Sequence, residues 1–323
     1  MKNFTLKQLF SLLFITGFLF LFTNCSVDEN ANSKKDSITK IVNSNADLTI
    51  LKAALVKTEL ATTFTEEGDY TFFAPTNEAF QNFLNANGFS NIDAVPTPIL
   101  KEILLNHVIN LKYTVLTLPV NGYVKTLGKG NASATNTLSM YVKKSGSDVK
   151  LNGVSDIIHP NLLASNGIMH IVDGVIDLPT ITTHAIANGN LSSLVSALAY
   201  NSSSNFITTL SGNPSSPFTV IAPTNGAFTA FFVEKGYTQL SDIPASVLEN
   251  TLKYHVVNNT NLLANQFSNN QTIATTAGEN LTVNFANGII KLKDVNNRVG
   301  TTLILDIQCS NGVIHTIDKV MTP

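Results

Sequence analysis

Four of the six histidines lie in phrases that occur twice. His107 sits in NHVI and His255 in YHVV, while His170 sits in NGIMHIVDGVI and His315 in NGVIHTIDKVM. Repeated imidazoles next to an aspartate could hold a metal ion or act as acid–base pairs. The spacing argues against both. In HIVD and HTID the His and Asp are three residues apart, which on a strand puts them on opposite faces, unable to chelate one ion. A metal site also needs three or four converging ligands. The residues favour imidazoles that serve as buried hydrogen-bond partners, tying a helix end or a turn to a sheet. His159 and His184 occur in one copy only and receive no role.

Other chemistry is sparse. The chain has no GxSxG elbow, no HExxH and no GxGxxG after a strand. GYVKTLGKG imitates a phosphate loop, but five residues rather than four separate Gly122 from Gly128, and Gly130 follows Lys129 where Ser or Thr is required. No carboxylate pair is tied to a motif, which leaves a glycosidase reading without support. The triplets at Asn131 and Asn280 read as accidents of an Asn/Ser/Thr-rich composition. No catalytic residue, metal ligand or cofactor is therefore expected. A net charge of −2 argues against nucleic acid as a partner, and with no tryptophan a sugar platform would rest on Tyr or Phe.

The histidines belong to a larger repetition. YTFFAPTNEAF, from Tyr70, returns as PFTVIAPTNGAF, from Pro217, with Pro75 and Pro223 148 residues apart. His107 and His255 are also 148 apart, and His170 and His315 are 145 apart. Three blocks in one order at such a period exceed the unit of a solenoid or propeller and match a whole domain. The chain thus reads as two copies of one domain, residues 36–178 and 180–322, each long enough to bury its own core.

The elements that must position these residues follow from local pattern. Asp47 and Asn190 are expected to cap helices that bury Leu48, Leu51 and Leu55, and Leu191, Leu194, Val195 and Leu198. Thr71–Phe73 and Phe218–Ile221 read as strands ending at Pro75 and Pro223, because proline cannot donate to a ladder. Thr76 and Thr224 then cap new helices, with Asn77 and Asn225 able to share that role, and Gly88 and Gly236 close them. A further helix, with Ile99, Ile103 and Leu104 aligned to Leu248 and Leu252, carries the first histidine near its end. Apolar runs separated by glycine turns follow, as in an antiparallel sheet. Helices first and strands afterwards indicate an α+β fold.

Residues 1–24 are expected to lie outside the fold. Lys2 and Lys7 precede an apolar run of about 14 residues, which suits an export signal better than a retained membrane anchor. Cys25 directly after it resembles the lipid-bearing cysteine of a bacterial lipoprotein, although Phe22-Thr23-Asn24 departs from the usual lipobox. Residues 25–35 then form a lipidated tether. Asp28-Glu29 looks like a short acidic signal for surface display. With Cys25 lipidated, Cys309 has no disulfide partner and reads as a small buried hydrophobe.

Together, the strand into APTNxAF, the helix-end histidine and NGxxHxxDxV resemble the fasciclin, or FAS1, domain, over nearly all of residues 36–322. Gly226, where an acidic residue is usual, and Asn106, where Tyr254 keeps an aromatic, are small departures. The resemblance implies two tandem domains, each a β-sandwich or wedge packed against several helices. It also implies a non-enzymatic adhesion or interaction protein whose partner is an extracellular protein, matrix or glycan. Its anchor would be in the outer membrane, facing the surface or the periplasm. A carbohydrate- or small-ligand-binding surface lipoprotein is the alternative. Asp156-Ile157 and Asp306-Ile307 resemble an Asp-Ile motif linked to integrin binding in animal members, but Asp-Ile at a strand boundary is the better reading.

Overall fold

The computed structural model describes residues 35–200, 206–212 and 217–323. The expected export signal, Cys25 and the tether up to residue 34 lie outside the described residues. Copy one has helices α1 (Ile38–Ser44), α2 (Thr49–Lys57), α3 (Leu60–Thr63), α4 (Asn77–Ala86) and α5 (Thr97–Asn106). Its strands are β1 (Tyr70–Pro75), β2 (Val108–Ile109), β3 (Gly122–Lys129), β4 (Thr137–Ser145), β5 (Asp148–Leu151), β6 (Ser155–Ala164) and β7 (Gly167–Val172). Copy two has α6 (Ile181–Ala187), α7 (Ser192–Tyr200), α8 (Phe206–Ser211), α9 (Asn225–Lys235) and α10 (Ala245–Tyr254). Its strands are β8 (Phe218–Pro223), β9 (Val256–Val257), β10 (Thr272–Ala274), β11 (Asn280–Ala286), β12 (Ile289–Lys293), β13 (Val299–Thr301), β14 (Ile307–Cys309) and β15 (Gly312–Ile317).

The proline strand is apolar throughout because both its faces are covered. Phe72 and Ala74 of β1 face the helices and join a core with Leu48, Leu51, Leu55, Phe80, Leu84 and Leu100. Phe73, one residue out of phase, joins Met140, Val142, Leu151 and Val172 in a second core on the other face. Copy two divides the same way: Phe218, Val220 and Ala222 pack with Leu191, Leu194, Phe228 and Leu248, while Ile221 packs with Leu281, Val283 and Leu292. Each copy therefore keeps its own cores, a helical layer on one side of the central strand and a sheet layer on the other.

The sheet is mixed rather than purely antiparallel. β1 pairs in parallel with β7, Phe73 opposite His170 and Pro75 opposite Val172, and β8 pairs with β15 in the same register. Parallel pairing needs a long crossover, and everything between the two repeated blocks supplies it. In copy one the sheet runs β2-β1-β7-β6-β5-β4-β3 without interruption; in copy two it splits into β10-β11-β12-β13 and β14-β15-β8-β9. The cause is local. β6 is continuous through two register shifts, whereas its counterpart breaks between Thr301 and Ile307.

Three local expectations are corrected. Asp47 and Asn190 do not cap; Asn45 accepts the Asp47 N–H at 2.9 Å and Asn188 accepts the Asn190 N–H at 3.0 Å, each starting a short 3-10 turn before the longer helix. Ile99 is about half exposed, and Leu100, Ile103 and Leu104 carry the buried stripe of α5 instead. The matching residue of α10, Val247, is likewise about half exposed, with Leu248 and Leu252 buried. Asn77 and Asn225 are already helical, and only Thr76 and Thr224 cap α4 and α9, accepting from Ala79 at 3.1 Å and Ala227 at 3.3 Å. GYVKTLGK, all of the phosphate-loop imitation but Gly130, is strand β3.

Candidate functional site

The repeated polar residues converge on internal partners, the same ones in both copies. His107 follows the last turn of α5; its Nε2 accepts the Ile176 N–H at 2.9 Å, so Nδ1 carries the proton and donates to the Ile103 carbonyl at 2.7 Å. His255 repeats this with Met321 at 3.0 Å and Thr251 at 2.8 Å. Burial holds both imidazoles well below their usual range, at about 4, and the carbonyl contact only partly offsets it. They are neutral pins between a helix end and the chain leaving the last strand.

His170 and His315 make a second pair. Nδ1 of His170 accepts the Asn161 N–H at 3.2 Å, and Nε2 donates to Tyr113 at 2.9 Å. His315 accepts from the Asp306 N–H at 3.3 Å and donates to Leu262 at 2.8 Å. Burial lowers the pKa of each. Asn161 and Asp306 both adopt the left-handed region, φ 61° and 58°, so they are equivalent positions. This separates the two Asp-Ile dipeptides. Asp156 donates its N–H to the Asp173 carboxylate at 2.7 Å, the role taken in copy two by Thr301 with Asp318 at 2.6 Å. Asp156-Ile157 lies near the start of β6 and Asp306-Ile307 at the start of β14, places that do not correspond.

The asparagines complete the skeleton. Asn166 accepts the Ile38 N–H at 3.0 Å and donates to Phe64 at 2.7 Å and Glu66 at 3.0 Å. Asn311 accepts from Ile181 at 3.0 Å and donates to Leu210 at 2.8 Å. Asn77 accepts the Ile50 N–H and donates to Ala46, both at 2.9 Å, and Asn225 does the same with Ser193 and Gly189. Gly167 and Gly312 follow the asparagines because a Cβ there would run into the Tyr70 or Phe218 carbonyl of the parallel neighbour. Asn106 and Tyr254 differ in type and in partner: Asn106 donates to Ile176 and Asp177, both at 3.1 Å, in the chain leaving the last strand, while the Tyr254 hydroxyl donates to Asn280 at 2.7 Å, at the start of β11.

None of these groups is left for chemistry, and among the described residues no three His, Cys, Asp or Glu side chains converge as a metal site would. Cys309 is fully buried and burial pushes its thiol up. On the surface, an open cleft of about 470 Å³ is lined by Tyr237, Asn250, Asn296 and Arg298 among others.

Sequence reasoning missed the seam between the copies. Lys125 Nζ donates to Ser139 Oγ at 3.0 Å and across the seam to the Asp306 carbonyl at 2.8 Å. The Gln308 N–H reaches Ser139 Oγ at 3.0 Å, and the Ala132 N–H reaches the Ser310 carbonyl at 2.9 Å. Tyr123 accepts from Asn188 at 3.2 Å and lies edge-on to the His184 ring, 5.4 Å between centres. The signal available was length. The β3–β4 connection of copy one is longer than its counterpart in copy two, and its end, at Gly130, lies against Ser310.

A family model described as the fasciclin domain matches residues 46–179 and 189–323. Human periostin is 28% identical over 264 residues, which are 80% of this chain and 29% of periostin. This chain thus spans under a third of that relative's length. Protein sll1483 of Synechocystis sp. is 35% identical over 144 residues, 45% of this chain and 73% of that protein. A FAS1 domain pair from the insect cell adhesion molecule Fasciclin I is similar at 18% identity, covering 88% of this chain and 96% of that one, with a TM-score of 0.49.

Proposed function

Because the chain belongs to the fasciclin family and carries its domain twice, we propose that it is an exported, non-catalytic adhesion or interaction protein. In this reading residues 1–24 direct export, Cys25 bears the lipid and residues 25–35 form the tether. Two domains, 36–178 and 180–322, are held at the outer membrane, facing outward. The partner is an extracellular protein, matrix or glycan. One observation carries the proposal: in both copies the repeated polar side chains are committed to internal hydrogen bonds, so the polar motifs build the fold and partner contact falls to the surface outside them. Cells lacking the gene should attach or aggregate less well, and unchanged attachment on every relevant surface refutes the role. Replacing Cys25 with alanine should move the protein from the membrane to the soluble fraction, and protease shaving of intact cells should remove it if it faces outward.

A second reading, capture of a carbohydrate or small ligand, is favoured by the cleft of about 470 Å³, where Tyr237 offers a ring and Asn250, Asn296 and Arg298 offer polar groups. Calorimetric titration with defined saccharides decides it. Saturable binding that is lost on Tyr237→Ala supports this reading.

A further inference from the structure

His184 is the one imidazole here whose burial serves no visible hydrogen bond. Its side chain is fully buried in α6, and among the described residues neither ring nitrogen makes a well-formed hydrogen bond, the Ser139 and Gln308 backbones being no more than weak neighbours. In copy one the corresponding residue is Ile41, since Ile38 and Ile181 make the same bond to Asn166 and Asn311. A position that accepts isoleucine in one domain thus holds a titratable ring in the other, and holds it at the seam.

Burial and one neighbouring cation oppose a positive charge there. β3 contributes the Tyr123 ring and the Lys125 ammonium, and β4 contributes Tyr141 and the neutral Ser139. β14 contributes Gln308 and the buried Cys309. α6 carries no other titratable side chain. Asp306 is the carboxylate nearest the seam's cation, but it accepts the Ala264 N–H at 2.8 Å and lies 3.9 Å from His315. Burial first, and then Lys125, hold His184 at about 3, while the Ser139 and Gln308 backbones favour its charged form only weakly.

We propose that His184 is an acid-sensitive latch between the two domains: neutral, it stays sealed beneath β3 and β4, and a proton is accepted only when the seam opens. The seam bonds of Gln308 and Ala132 are those that opening releases. The ligand that drives it is the proton, so acidification separates faces that neutral conditions keep shut, including the Tyr123–Tyr141 pair.

Linkage fixes the size of the effect. A histidine freed by opening regains its ordinary range near 6.5, so below that pH each unit favours the open seam about tenfold, levelling off near 3. Between pH 6.5 and 4.5, protection of the Gln308 and Ala132 amides against hydrogen exchange, corrected for intrinsic rate, should fall about 50-fold, because half of the freed histidine is already protonated at the upper end. The measurement uses the full chain, with His184→Phe and His184→Ile alongside. Neither variant can take a proton there, so both should lack the steep fall while any general acid effect remains. Equal slopes in the wild type and either variant overturn the latch. If neither variant folds, the wild-type data still decide, because unchanged protection across that window overturns it too.

Discussion

Asn166→Ala tests the hydrogen-bond skeleton most directly. Truncation removes the acceptor of the Ile38 N–H and the donor to Phe64 and Glu66. The three groups do not suffer equally. Phe64 keeps the Thr39 N–H at 3.3 Å, and Glu66 is exposed, so water can serve its carbonyl. Ile38 is fully buried and its N–H is stranded. A stranded donor costs ~1–3 kcal/mol, and each lost bond with a surviving alternative contributes less, which sums to about 3 kcal/mol. For a domain of this size that corresponds to a midpoint lowered by roughly 6–12 °C in thermal unfolding followed by circular dichroism. Asn311→Ala breaks the matching bonds to Ile181 and Leu210 and should lower the midpoint in the same direction. Asn166→Asp should be no better than alanine, because it sets an oxygen against two carbonyls. A shift below about 2 °C for Asn166→Ala, or an aspartate variant as stable as the wild type, refutes the reasoning.

Other consequences are as direct. Gly167→Ala should destabilise copy one by ~1–3 kcal/mol through collision with the Tyr70 backbone, read as a lowered urea midpoint at unchanged m-value. His107 and His255, held at about 4 when folded, take up protons near 6.5 once unfolded, so the unfolded state binds more protons as pH falls. Stability should therefore drop between about pH 6.5 and 4 and level off below, by on the order of 3 kcal/mol per histidine. His107→Leu should flatten that part of the curve while lowering the neutral plateau. Cys309, fully buried with its thiol pushed up, should resist maleimide in the native protein and react once urea unfolds copy two.

Local pattern alone was enough for the proline corner, the threonine caps, the glycine at 236 and the histidine that follows the third repeated helix. Each depends on side-chain type at short range: proline lacks an N–H, threonine reaches three residues ahead, and apolar residues recur at a helical or strand period. The repetition itself, and with it the family, could be read the same way. What the imidazoles and asparagines hold could not. Ile176, Tyr113, Phe64 and their counterparts contribute backbone N–H or C=O groups, which nearly every residue offers alike, from 53 to 102 positions away. The parallel join of first and last strands, the different places of the two Asp-Ile dipeptides and the sealing of His184 under a neighbouring domain share that origin. They depend on which backbone arrives beside a residue, and only the folded chain decides that.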